Sequence, residues 1–103
     1  IRIILRKRFL NLLRIDKYHF NTLQKALKVF NGAEIIFFGS RKDFTKRGGD
    51  IDIAIKGLSK EEFEKRKVKF FKVLLLNDFD LPVDLIHYES ADELLKNEIK
   101  NEI

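Results

Sequence analysis

The chain has 103 residues, of which 45% are hydrophobic and 36% are charged, and this composition predicts one folded domain over residues 1–103 rather than a disordered chain. The absence of cysteine excludes disulfides, thiolate zinc sites and a cysteine nucleophile. A net charge of +5 favours an anionic partner, such as a nucleotide, RNA or an acidic protein, although an ordinary soluble surface is by itself the simpler explanation. No apolar run is long enough to span a bilayer, so we expect a cytoplasmic protein without a membrane partner.

The first third of the chain has the apolar spacing of two helices. Residues 2–14 predict the first one, although β-branched residues at its start leave an extended segment as the alternative. A stripe of apolar residues at helical spacing predicts the second: Phe20, Leu23, Leu27 and Phe30. Asn31-Gly32 can adopt the left-handed backbone conformation that commonly ends a helix, so this helix is expected to end there.

Three later segments have the composition of strands. Residues 34–38 are β-branched and aromatic, and they end at a glycine. Residues 50–55 alternate strictly, with isoleucines on one face and Asp50, Asp52 and an alanine on the other. Residues 82–88 form the third predicted strand.

Capping-box patterns introduce the remaining helices. Ser59 with Glu62 begins a helix that continues to about residue 77, and Ser90 with Glu93 begins the last one. The charged residues of the longer helix are expected to form its solvated face. The order αα-β-β-α-β-α predicts an α+β fold with a small mixed sheet of about three strands and helices packed on one face. The other face stays partly open, which is where a site can form.

The alternation of the second strand puts Asp50 and Asp52 on one face, roughly 7 Å apart along the chain. Two carboxylates in an otherwise apolar strand repel each other and lose hydration, so a shared divalent cation gives a physical reason for the pair. The alternative is a solvated pair on an exposed edge strand. The pattern alone does not decide between them.

Two further features favour a metal site. The first strand runs directly into Gly39-Ser40, where a residue without Cβ lets the backbone approach a phosphate, although an ordinary strand-ending turn also fits. The third strand carries a single acidic residue, Asp84, and a carboxylate in an apolar strand usually has a partner, which a metal shared with Asp50 and Asp52 would be. Hard oxygen ligands in this number suit Mg²⁺, and two such ions can stabilise the attacking and leaving oxygens of a displacement at phosphorus.

The ordered set of motifs resembles the signature of the nucleotidyltransferase superfamily related to DNA polymerase β, and specifically its minimal, single-domain branch. The resemblance runs from about residue 20 to about residue 100 and rests on Phe38-Gly39-Ser40-Arg41, Asp50-Ile51-Asp52-Ile53-Ala54, and Asp84 in a later strand. It implies an enzyme with two Mg²⁺ ions that transfers a nucleoside monophosphate from an NTP, expected to be ATP, to a hydroxyl.

The resemblance also implies a role for each motif residue. Gly39 and Ser40 would bind the triphosphate. Asp50 and Asp52 would bind both metals, and Asp84 would bind the catalytic metal and help to activate the acceptor hydroxyl.

The loop after the glycine-serine pair departs from the family pattern. Minimal members commonly continue Arg-Ala-Arg-Gly, whereas here Arg41 is followed by Lys-Asp-Phe, and Gly49 replaces the serine or alanine that commonly precedes the aspartate pair. The change removes an arginine and a glycine, and Lys46 or Arg47 can supply the missing charge. We therefore expect Arg41, Lys46 and Arg47 to contact the nucleotide.

Three other polar residues are weaker candidates. His19 and His87 are far apart in the sequence and lack metal-ligand spacing, so neither belongs to the predicted site. Tyr88 lies at the end of the third predicted strand and is expected to be a core or rim residue rather than a platform for a base.

Two classes of function remain open. Minimal members of the family are often encoded beside a helical HEPN ribonuclease and act as its antitoxin, so the resemblance implies a HEPN-family protein partner that offers the hydroxyl. The alternative is a non-catalytic module that masks such a ribonuclease or binds RNA through the basic loop. The three aspartates favour the enzyme, because a module that needs only positive charge has no use for them.

Overall fold

The computed structural model describes residues 2–4, 17–38 and 51–100, which form four strands and three helices. The strands are β1 (Arg2–Ile4), β2 (Glu34–Phe38), β3 (Ile51–Lys56) and β4 (Val83–His87). The helices are α1 (Lys17–Leu27), α2 (Lys60–Leu76) and α3 (Glu93–Lys100). Short 3-10 turns follow α1 and β4, at Lys28–Phe30 and Tyr88–Ser90.

The strands form one mixed sheet in the order β1-β2-β3-β4. β1 is parallel to β2, β2 is antiparallel to β3, and β3 is parallel to β4. Helix α2 makes the crossover that the parallel pair β3 and β4 requires. The predicted α+β class with a small mixed sheet is confirmed.

The start of the chain differs from its prediction. A helix from residue 2 is wrong, because Arg2–Ile4 form a strand that pairs with the first three residues of β2. β-branched side chains suit strands, and pairing with β2 outweighs the helical spacing of the apolar residues. The remainder of the predicted helix lies outside the described residues. β1 therefore adds one strand to the sheet that the sequence predicts.

One face of the sheet carries the larger core. Alternate residues of β2 and β3 pack there against α1 and α2: Ile35, Phe37, Ile51, Ile53 and Ile55. Three aromatic rings lie between the two helices, with the Phe30 centroid 6.1 Å from that of Phe63 and 5.8 Å from that of Phe70. All three rings are at most 2% exposed. These contacts hold both helices on one face, as the sequence predicts.

The opposite face carries a smaller cluster, which α3 covers in part. Ile99 of α3 packs with side chains from the sheet and from the turn after β4: Ile36, Phe38, Ala54 and Tyr88. Leu95 adds to this contact from the same helix. Because α3 is short, it shields only part of this face among the residues that the structure describes.

The ends of α1 and α2 follow the predicted signals. Gly32 has a φ of +91° in the turn that separates α1 from β2. The Ser59 hydroxyl accepts a hydrogen bond from the Glu62 N–H at 3.1 Å, which caps α2. Asp78 has a φ of +55° and lies just after α2, in the left-handed conformation that commonly ends a helix.

The cap of α3 differs from the predicted Ser90. The Asp92 Oδ1 accepts from the Leu95 N–H at 2.8 Å and begins the helix. Ser90 instead lies in the preceding 3-10 turn, where its hydroxyl is 2.7 Å from His87 Nδ1. Both residues have the right side chain for a cap, and the turn after β4 determines which of them is used.

Replacing Asp92 by alanine should lower the free energy of unfolding by about 1 kcal/mol, because the first turn of α3 loses its side-chain acceptor. Asp92→Asn should retain most of the stability, since an amide oxygen also caps. Chemical denaturation of the three proteins measures this. An equal loss in both variants would show that the charge, and not the cap, is what matters.

Candidate active site

Asp52 and Asp84 lie side by side on neighbouring strands. They are register partners in the parallel pair β3 and β4, and such strands run about 4.8 Å apart. By alternation, Asp52 shares a face with Ala54, and Asp84 shares that face with Ile86, both of which belong to the smaller cluster. The two carboxylates therefore occupy one face at neighbouring positions.

The pair lies at the margin of the face that α3 covers. Ile36, Ala54 and Ile86 form one row across the three strands, and the next row consists of Phe38, Asp52 and Asp84. The first of these rows belongs to the apolar cluster beneath α3. Phe38 of the second row belongs to the same cluster, so the two carboxylates of that row continue directly from apolar side chains.

The two carboxylates differ in exposure. Asp52 is only 8% exposed, whereas Asp84 is exposed. The partner predicted for Asp84 stays a prediction, and burial does not require one, because β4 is the last strand of the described sheet and Asp84 is exposed there. The arrangement combines a fixed, buried carboxylate with an accessible one that can reach a ligand.

Phe38 is a part of this site whose position the sequence did not reveal. It is the register partner of Asp52 on the side away from Asp84, and it is 3% exposed. Directly opposed side chains in antiparallel strands lie about 5 Å apart at Cβ. Phe38 therefore forms an apolar wall next to the buried carboxylate, a relation that only the strand register defines.

The other predicted site residues lie outside the part of the chain that the structure describes: Gly39, Ser40, Arg41, Lys46, Arg47 and Asp50. In the sequence, the glycine-serine pair follows the last residue of β2, and Asp50 precedes the first residue of β3. The structure thus brings together two of the predicted metal ligands. The roles of the other residues stay predictions.

The described part of the site is compatible with Mg²⁺. Within residues 2–4, 17–38 and 51–100, no group of three or more His, Asp or Glu side chains is placed to hold a metal ion. Asp52 and Asp84 nevertheless offer hard oxygen donors from adjacent positions on one face. Mg²⁺ commonly binds through one or two carboxylates and completes its shell with water and substrate phosphate oxygens. The donor set therefore fits the ion.

A surface cavity of about 610 Å³ lies at the opposite end of the sheet. Glu34 and Lys56, which are register partners there, line it together with Gly32 and Glu89. Asp52 and Lys56 are four positions apart along β3, which is roughly 13 Å at the rise of a strand. The cavity is therefore distinct from the aspartate pair.

The weaker candidates have structural contacts. His87 is buried, and its Nε2 lies 2.6 Å from the Leu58 carbonyl, to which it donates. His19 lies 2.8 Å from Asp80. Tyr88 is 7% exposed, with the ammonium groups of Lys56 and Lys96 over its ring. The prediction that Tyr88 is a packing residue is confirmed.

No helix in the described ranges is long and apolar enough to cross a membrane. A comparison with curated proteins gave no match. Residues 19–103 match the family model described as a nucleotidyltransferase domain. The matched region contains both aspartates and extends from α1 through the last helix. Because the match covers most of its length, the chain belongs to the nucleotidyltransferase domain family.

Proposed function

We propose that this domain catalyses the Mg²⁺-dependent transfer of a nucleoside monophosphate from an NTP, with ATP as the expected donor, to a hydroxyl of a protein partner. Pyrophosphate is the second product. The observation that carries the proposal is the register pairing of Asp52 with Asp84 in a chain that belongs to the nucleotidyltransferase domain family.

Bound Mg²⁺ would neutralise the triphosphate and lower the pKa of the acceptor hydroxyl. Asp52 and Asp84 would hold it together with Asp50. Asp52 is buried against Phe38 and provides a ligand whose position is fixed by packing. Asp84 is exposed at the edge of the described sheet, where a carboxylate oxygen can accept the proton of an incoming hydroxyl. Phe38, the register partner of Asp52, shields the buried member of the pair from one side.

The triphosphate would be bound by the segment between β2 and β3. Gly39 and Ser40 provide backbone N–H groups and a hydroxyl for the phosphates. Three cations of the same segment add positive charge: Arg41, Lys46 and Arg47. The strand register supports this placement. The last residue of β2, Phe38, is the register partner of Asp52, which is the second residue of β3, so the segment that joins the two strands leaves and returns next to Asp52.

The acceptor is proposed to be a HEPN-family helical protein, with the nucleotidyltransferase acting as its antitoxin. This assignment rests on the resemblance to minimal nucleotidyltransferases. RNA is the weaker alternative as a partner. A non-catalytic module would neutralise the same ribonuclease by masking it, so catalysis and neutralisation have to be measured separately.

The proposal is tested by incubating the protein with each radiolabelled NTP, Mg²⁺ and the product of the neighbouring gene. Label on the partner and release of pyrophosphate are expected. Partner neutralisation without transfer of label, for every nucleotide, would contradict the enzyme and leave the masking module.

Asp52→Asn should weaken Mg²⁺-dependent nucleotide binding by at least about tenfold, because loss of a direct ligand should cost no less than loss of an outer-shell group. Isothermal titration of the nucleotide with and without Mg²⁺ measures the effect. Asp78→Asn is a matched control, since Asp78 lies in the loop before β4 and asparagine tolerates its left-handed conformation. Equal affinity in wild type and Asp52→Asn would remove Asp52 from the metal site.

A further inference from the structure

The side of α2 that faces away from the core carries an unusual mixture of side chains. Exposed Glu61 lies on the same side of the helix, one turn before residue 65. From residue 65 to the end of the helix, six residues make up this outer face: Lys65, Val68, Lys69, Lys72, Leu75 and Leu76. All six are exposed, and at the angular spacing of an α-helix they lie within an arc of about 120°. The opposite side of the helix holds Phe63, Phe70 and Leu74, which are buried in the larger core.

The apolar side chains of the outer face are largely exposed to solvent. Val68 is 70% exposed, Leu75 is 76% exposed and Leu76 is 72% exposed. A single exposed leucine is normal on a protein surface. Here three large apolar side chains occupy one arc of a helix that already buries its other side, and such a cluster is typical of an interaction surface.

The charge of the outer face has one sign. Residues 65–76 contain no acidic residue. Arg66, on the inner side, is held by Glu62 at 2.8 Å and donates to the Asn31 carbonyl at 2.8 Å, and its guanidinium lowers the pKa of Glu62. Lys65, Lys69 and Lys72 form no ion pair within the described ranges. The outer face therefore presents three lysines beside three apolar side chains.

Exposed lysines beside exposed apolar side chains favour an acidic protein as the binding partner over a second copy of the chain or a membrane surface. In a two-fold contact with a second copy of the chain, the lysines of one outer face would lie against the lysines of the other, and like charges repel. A membrane surface suits a helix whose apolar and basic residues occupy separate arcs, whereas here lysines are interleaved with the leucines. An amphipathic helix with acidic side chains beside an apolar stripe matches both the leucines and the lysines.

We propose that the outer face of α2 docks an acidic amphipathic helix of a partner protein. The last turn of α2 leads into β4, so Leu75 and Leu76 lie at the end of the sheet that carries Asp52 and Asp84. A partner bound there is held at the same end of the domain as the proposed catalytic pair. The inference rests on the proposed function only in treating that partner as the source of the acceptor hydroxyl.

The test uses a fluorescent helical peptide of roughly 20 residues, with leucines at helical spacing and glutamates beside them, and a second peptide in which lysines replace the glutamates. Fluorescence anisotropy should show salt-sensitive binding of the acidic peptide alone. Leu75→Gln with Leu76→Gln should weaken it about tenfold or more, because two apolar contacts are lost. Lys69→Glu with Lys72→Glu should remove binding of the acidic peptide and create binding of the basic one.

Two matched variants control for surface effects. Leu94→Gln changes a leucine that is 84% exposed on α3, and Lys25→Glu changes an exposed lysine of α1. Neither should alter peptide binding, and circular dichroism should show that every variant is folded. Equal binding of both peptides, no binding of either, or binding that the outer-face variants leave unchanged would overturn the proposal.

The alternative occupants give separate results. Sedimentation of the protein with anionic lipid vesicles, or self-association in analytical ultracentrifugation that Leu76→Gln abolishes, would assign the outer face to a membrane or to a second copy and would also overturn the proposal. Mg²⁺-dependent NTP binding, measured on the same variants, should be unchanged. A wild-type protein that binds NTP but neither peptide contradicts only the docking face, and one that binds the acidic peptide but no NTP contradicts only the proposed catalysis.

Discussion

Replacing Asp84 by asparagine is expected to lower kcat for nucleotide transfer by about a thousandfold, a loss of ~4 kcal/mol of transition-state stabilisation. Asp84 is the exposed member of the pair and is proposed to accept the proton of the attacking hydroxyl. The affinity for the NTP should change by no more than about threefold, because Asp50 and Asp52 still hold the nucleotide-bound metal. A fall in kcat with little change in nucleotide affinity indicates an interaction made mainly in the transition state.

Single-turnover transfer to the partner and nucleotide titration measure the two quantities separately. Asp78→Asn serves again as the control and should behave as wild type. The masking module predicts instead that Asp84→Asn neutralises the partner as well as wild type does, with no transfer by either protein. A parallel fall in nucleotide affinity and kcat would mean that Asp84 binds the nucleotide-bound metal as strongly as Asp52 does.

Replacing Phe30 by alanine is expected to lower the free energy of unfolding by about 4 kcal/mol. Phe30 is fully buried and contacts both Phe63 and Phe70, so its loss leaves a cavity at the junction of α1, α2 and the sheet. Domains of this size are commonly stable by only about 5–15 kcal/mol. The melting temperature should fall by roughly 15–30 °C.

Chemical denaturation and thermal melting followed by circular dichroism measure this loss. Phe30→Leu should recover most of the stability, because it fills much of the cavity. Phe71→Ala is the matched control, since Phe71 is only partly buried against the same core and contacts Phe70 edge-on. Equal losses at Phe30 and Phe71 would show that the three-ring contact is not the centre of the core.

Elements whose signals are local could be predicted from the sequence alone. The alternation of β3, the aromatic segment of β2 and the Ser59 cap of α2 depend on neighbours within a few residues, so each is predicted close to its observed bounds. The sequence also supplied the ordered motifs of the candidate site and, through them, the family. These motifs are readable because the chemistry requires particular residue types at fixed positions along the chain.

Features that depend on distant residues became evident only in the folded domain. Arg2–Ile4 form a strand because β2 offers them a partner, and Asp92 rather than Ser90 caps α3 because the turn after β4 uses the serine. The exposure of Asp84 and its pairing with Asp52 follow from the position of β4 in the sheet. Likewise, the sequence predicts a solvated charged face on α2, whereas the packing of that helix shows that leucines share it. Register and burial are properties of pairs of segments far apart in the chain, and no local pattern encodes them.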